Sequence, residues 1–148
     1  SKNLEARRGW EQRMFPGDYP KSCPHTERPK YGTINFTNDR RGMALCSQYG
    51  SSYFVLSDHV RQRCTITNKD SCYSDAVVGT LKDCLHVLNK FSDKELKALV
   101  EGAQTEFVSS ETFANYPEIQ IHGPLRFQGD VEFLRVNPSL EGDVVVNK

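Results

Sequence analysis

The chain has 148 residues, 37% hydrophobic and 26% charged, a size that holds one domain with a real core and hardly two. Its aromatic content of 8 Phe, 6 Tyr and 1 Trp excludes a disordered chain. The 19 basic residues balance the 19 acidic ones, so no field of one sign exists to hold nucleic acid or an anionic membrane.

Leu4 to Phe15 reads as a short helix, with Leu4, Arg8, Glu11 and Phe15 at three- and four-residue steps. Pro16-Gly17 stops it, and the proline-rich stretch to Pro29 is loop. Lys30 to Phe36 is rich in strand formers and ends in the turn chemistry of Thr37-Asn38-Asp39. Tyr53-Phe54-Val55-Leu56 is a continuous apolar run of the kind a buried strand carries. A short turn over Asp58 to Gln62 leads to another strand, Arg63 to Thr67.

The middle reads as helical. Asp70-Ser71 is placed to cap a segment running through Ala76 to Thr80, and Leu81, Leu85 and Leu88 space as a helical stripe. Ser92 with Glu95 forms a capping box for a helix from about Asp93 to Gly102. Strands over Glu118 to His122, Asp130 to Val136 and Asp143 to Val146 finish the chain, separated by Gly123-Pro124 and Asn137-Pro138. The fold class is α+β, strand-rich, in a single domain over 1–148.

No apolar run approaches the ~20 residues of a membrane span, and no signal-peptide core opens the chain. Ser1 in place of Met leads us to expect an excised or processed domain. Cys23, Cys46, Cys64, Cys72 and Cys84 are odd in number and form no CxxC pair or Cys/His cluster. All five are expected as free thiols, with no metal. No Walker loop, G-x-G-x-x-G or G-x-S-x-G elbow occurs.

Strand side chains alternate, so Ile119 and Ile121 point one way while Glu118, Gln120 and His122 point the other. In the same manner Cys64 and Ile66 face the core, and Arg63, Thr65 and Thr67 share the opposite face. A half-exposed antiparallel strand produces this pattern without any function. Yet Glu is depleted in strands, and a carboxylate, an amide and an imidazole in one row make a good cleft wall. His25 and His86 lack partners at ligand spacing and read as surface or packing residues, and His59, beside Asp58 in a turn, reads as structural.

Four blocks occur together in order: Glu27-Arg28-Pro29-Lys30-Tyr31-Gly32; Tyr49-Gly50-Ser51-Ser52-Tyr53-Phe54-Val55-Leu56; Arg63 to Thr67 with Asp70-Ser71; and Tyr116 to Pro124 followed by Asp130-Val131-Glu132. In this the chain, from about Leu4 to Asp143, resembles a bacterial family of formerly unknown function. The studied members of that family are secreted effectors, mono-ADP-ribosyltransferases that modify a threonine of host ubiquitin.

The resemblance implies two small antiparallel sheets with flanking helices, clasping NAD between them. It gives Arg28, with Tyr31 and Gly32, to the NAD phosphates or ribose, and Glu118 to the nicotinamide ribose. Thr65 and Thr67, or Ser51 and Ser52, fill the supporting-strand role. Arg63 and Tyr53 border the NAD, Tyr31 or Tyr53 stacks on its rings, and Gln120 and His122 complete the catalytic row. The superfamily pattern places Glu or Gln first and the catalytic Glu second, whereas here Glu118 precedes Gln120. The expectation is therefore a monomeric NAD-dependent transferase acting on ubiquitin in the host cytoplasm, secreted without a classical signal peptide. The alternatives are an NAD glycohydrolase and an inactive protein-binding module.

Overall fold

The computed structural model describes residues 2–37, 39–105 and 113–140. Helix α1 spans Lys2–Met14 and ends where Gly17 turns the chain with a φ of 89°, a conformation open to glycine. Four strands form the main antiparallel sheet in the order β1-β5-β3-β4: β1 Lys30–Thr33, β3 Cys64–Thr67, β4 Val78–Thr80 and β5 Glu118–Ile121. Strands β2 (Tyr53–Leu56) and β6 (Val131–Arg135) pair as a separate antiparallel ribbon with a bulge between Val55 and Leu56. The α+β class with two small antiparallel sheets and several helices is thus the architecture observed. The strand expected over Asp143 to Val146 lies outside the described residues.

Strand β5 is central, flanked by β1 and β3, and all four of its residues are buried. Its isoleucines, Ile119 and Ile121, join Val60, Cys64, Ile66 and Val87 in one core cluster. Burying such side chains contributes roughly 1.5–3 kcal/mol each, which fixes the strand's register. A one-residue slip would send Glu118 and Gln120 into that cluster. A second cluster gathers Phe36, Met43, Ala98, Phe113 and Tyr116, with the Phe36 and Phe113 rings 4.1 Å apart.

Helix α3 (Asp93–Gln104) carries the expected capping box, Ser92 Oγ accepting from the Glu95 N–H while Glu95 accepts from the Ser92 N–H. The stretch before it corrects the sequence reading. Ala76 to Thr80 is not helical; Val78–Thr80 is β4, paired with β3. The β-branched Val77 and Val78 favour the extended state, and Gly79 crosses so close to Val87 that a Cβ there would meet Val87 Cγ2 at 2.9 Å. Asp70 caps no helix; its carboxylate accepts from the Cys72 N–H and from two tyrosines. The leucine stripe also fails. Only Leu85–Leu88 winds into a helical turn, α2, Leu85 is 73% exposed, and the buried residue is Val87.

Strand boundaries also differ elsewhere: β5 ends at Ile121, leaving His122 just beyond it, and β6 spans Val131–Arg135 rather than Asp130 to Val136. β1 stops at Thr33, which frees Phe36 for the second cluster. Arg63 closes a 3₁₀ turn over Asp58–Arg63 rather than opening β3. No helix of the described residues is long and apolar enough to cross a membrane.

Candidate functional site

The register of the main sheet decides which polar side chains meet. Tyr31 and Thr65 stand opposite Gln120 on its two sides, and Thr33 and Thr67 stand opposite Glu118. The polar face of β5 is therefore walled by tyrosine and threonines, and it is buried: Glu118 is 6% exposed and Gln120 0%. The bland expectation of a solvent-facing strand surface is overturned by those two values.

A continuous run of hydrogen bonds crosses this face. The Tyr19 hydroxyl meets His122 Nδ1, His122 Nε2 lies 2.9 Å from Thr65 Oγ1, and Thr65 Oγ1 donates to Gln120 Oε1 at 2.8 Å. Gln120 Nε2 then donates to Glu118 Oε1 at 2.9 Å and to Thr67 Oγ1 at 3.1 Å. Every polar atom of the Gln120 side chain is satisfied, as burial of an amide requires. Phe15 packs edge-on against His122, with ring centroids 4.8 Å apart, and covers one side of the row.

Glu118 lies at the end of this row and on the wall of a broad crevice between the main sheet and the β2–β6 ribbon. Burial pushes its carboxyl above the usual carboxylate range and neighbouring Asp70 adds to this, while the Gln120 amide opposes it. The Ser71 hydroxyl stands beside Glu118 and favours its charged form, yet it finds no partner within hydrogen-bond geometry although buried. Burial also raises Asp70, but bonds from the Cys72 N–H and the Tyr116 hydroxyl outweigh that and leave it below its ordinary value. Two carboxyls in one pocket are thereby driven apart in proton affinity. Burial lowers the pKa of His122 against the opposing charge of Asp18, which favours the neutral ring.

The same crevice brings together Arg28, Tyr31, Gly32, Ser51, Ser52, Tyr53 and Glu118. Gln120, Thr65, Thr67, His122 and Arg63 stand behind that wall. Of the two candidate supporting pairs, the structure joins Thr65 and Thr67 to the Glu118 row. Ser51 and Ser52 instead accept from Asn137 at the ribbon's end. Arg63 binds the His122 carbonyl at 2.6 Å and Asp130 at 2.9 Å, tying the main sheet to the turn before β6.

Arg28 is 5% exposed and pairs with Glu11, itself 1% exposed, and its Nη2 also donates to the Pro20 carbonyl at 2.6 Å. Its Nε and Glu11 Oε1 are buried without partners, as is the Tyr31 hydroxyl. The Tyr31 ring is covered on one face by Arg7, 5.1 Å from its centroid. The Tyr53 hydroxyl donates to the Arg40 carbonyl at 2.9 Å. His59 bonds Asp130 at 3.0 Å rather than its neighbour Asp58, and His86 meets the Val78 carbonyl.

Glu11, Tyr19, Asp70 and Ser71 are site residues that sequence reasoning did not assign. Glu11 left a signal as a charged residue inside the stripe of Leu4 and Phe15, and Asp70-Ser71 stood in the third sequence block but were read as a helix cap; Tyr19 left none. Among the described residues no group of His, Cys, Asp and Glu could hold a metal ion.

No curated protein matches the chain. Residues 1–93 match a family described as protein of unknown function, DUF3626, a stretch that runs through β4 and α2 and stops before β5. Since that match spans more than half of the sequence, the chain is a member of the DUF3626 family.

Proposed function

We propose that the protein is a mono-ADP-ribosyltransferase that takes ADP-ribose from NAD and transfers it to a protein hydroxyl, a threonine of ubiquitin in the reading the four sequence blocks suggest. The observation that carries the proposal is Glu118, a carboxylate on a crevice wall, fixed by Gln120 and raised in proton affinity by burial. Cleavage of the nicotinamide–ribose bond builds positive charge at the ribose C1′. A fixed carboxylate in a poorly hydrated cleft stabilises that charge more than water does. The same carboxyl, raised in pKa, is suited to take the proton of an attacking hydroxyl late in the transfer.

The NAD co-substrate would lie along the crevice. Ser51, Ser52 and Tyr53 line it from the ribbon side, Tyr31 and Gly32 from β1, and Arg28 from the segment before β1. Arg28 is buried and neutralised by Glu11, so it shapes the crevice wall rather than supplying net charge to the diphosphate. Arg7 and Arg135 line the crevice with no ion pair among the described residues, and they supply the free charge that a diphosphate needs. Gln120 has no exposed atom and acts by holding Glu118, which answers why the amide follows the carboxylate in this row.

Intact-mass spectrometry of ubiquitin incubated with the protein and NAD tests the proposal. Addition of one ADP-ribose is the expected outcome. NAD cleavage without any adduct would instead establish a glycohydrolase. No loss of NAD at all would leave an inactive binding module and overturn the proposal.

A further inference from the structure

We infer that Tyr19, His122 and Thr65 are positioning residues: their hydrogen bonds lock the Gln120 carboxamide so that its N–H, and not its carbonyl, faces Glu118. The role in catalysis rests on the function proposed above; the locking itself rests on donor and acceptor bookkeeping alone. Gln120 gives its two N–H donors to Glu118 and Thr67, leaving only its carbonyl oxygen for Thr65. The single hydroxyl hydrogen of Thr65 is spent on that carbonyl. Thr65 Oγ1 must therefore accept from His122 Nε2 at 2.9 Å, so Nε2 carries the ring proton. Nδ1 is then a lone-pair acceptor, and the Tyr19 hydroxyl donates to it. All donors in the row point towards Glu118.

The reverse orientation would set the Gln120 carbonyl against the Glu118 carboxylate, two acceptors without a hydrogen between them. Glu118, and Thr67 whose hydroxyl donates to the Glu118 carbonyl at 3.4 Å, favour the same orientation from the N–H side, and the Tyr19–His122–Thr65 bonds fix it from the carbonyl side. The groups that face the two ends are Tyr19, Asp18 and the Arg63 guanidinium around His122, and Asp70, Ser71, Gln120, Tyr31, Cys46 and Cys72 around Glu118. Asp18 favours protonated His122 and burial opposes it. The neutral ring needed for this row is thus the form that burial supports.

The test reads the tautomer of His122 by ¹⁵N–¹H correlation in the full chain, its signals assigned against His122→Gln. The wild type should show one fixed tautomer with the proton on Nε2. Thr65→Val should give a mixture, because Nε2–H loses its acceptor, and Thr65→Ser should restore the single form. In NAD cleavage Thr65→Val should lower kcat ~10-fold with KM little changed and move the acid limb of the pH profile upwards, as Glu118 loses an aligned donor; Thr65→Ser should reverse both. A proton on Nδ1 or a mixture in the wild type would overturn the locking, whatever the activity. An unchanged tautomer and pH profile in Thr65→Val would overturn it as well. If the wild type shows the Nε2 tautomer yet leaves NAD intact, the function proposed above fails while the locking stands.

Discussion

Two buried polar clusters lie within this small fold and are built on opposite terms. Across β5 and β3, Gln120 spends every donor and acceptor on Glu118, Thr65 and Thr67. Between α1 and the segment before β1, Glu11 and Arg28 form a buried ion pair in which Glu11 Oε1 and Arg28 Nε have no partner. A fully hydrogen-bonded network holds one geometry with little penalty, whereas a buried pair stands only as long as both charges are present. The first is suited to positioning a reactive carboxylate. The second ties the N-terminal helix to the segment before the main sheet.

The two clusters should fail differently when broken, and the ion pair should fail hardest. Arg28→Ala strands the Glu11 carboxylate in a buried site and should cost ~3–5 kcal/mol in chemical denaturation. Replacing both partners with apolar residues of similar size, Glu11→Leu with Arg28→Met, should recover most of that loss. A cost below about 1 kcal/mol for Arg28→Ala would remove the pair from any anchoring role.

Gln120→Ala should cost less, about 2–3 kcal/mol, because the groups it abandons are neutral hydroxyls and one carboxylate at the crevice edge. A smaller effect still, and of opposite sign, is expected from Glu118→Gln. The folded-state pKa of Glu118 is raised, so the folded protein favours the protonated carboxyl. Stability then falls as pH rises from the unfolded carboxyl value, ~4.3, up to the raised folded value, and stays lower above it. Glu118→Gln should therefore melt at a slightly higher temperature than wild type at neutral pH, and the gain should vanish below about pH 4. A lower melting temperature at neutral pH would mean that the charge is stabilising where it stands.

The row on β5 was legible because period-two alternation is the strongest signal a short strand carries. Ile119 and Ile121 entered the core as their spacing requires, and Cys64 and Ile66 met them from β3. The capping box at Ser92 and Glu95 was equally local, and it formed. What misled was Ala76 to Thr80, where pairing with β3 overrode a helical reading that rested on a cap alone. Tyr19 could not be found from the sequence. It sits in a loop of four prolines with no period, and only the close of that loop over β5 brings it to His122, 103 positions away. Arg28 was noticed, but its partner Glu11 was read as part of a helix face, since a buried ion pair leaves the same trace as a solvated one.

The most direct test of the whole account is NAD turnover by Glu118→Gln, a change that keeps the shape of the side chain and removes its charge. If the charge acts in the transition state, kcat should fall ~10²-fold or more, a loss of ~3 kcal/mol, with NAD affinity nearly unchanged. Turnover at the wild-type rate by folded Glu118→Gln would contradict the assignment of this carboxylate, and with it the reading of the β5 row as the reactive wall of the crevice.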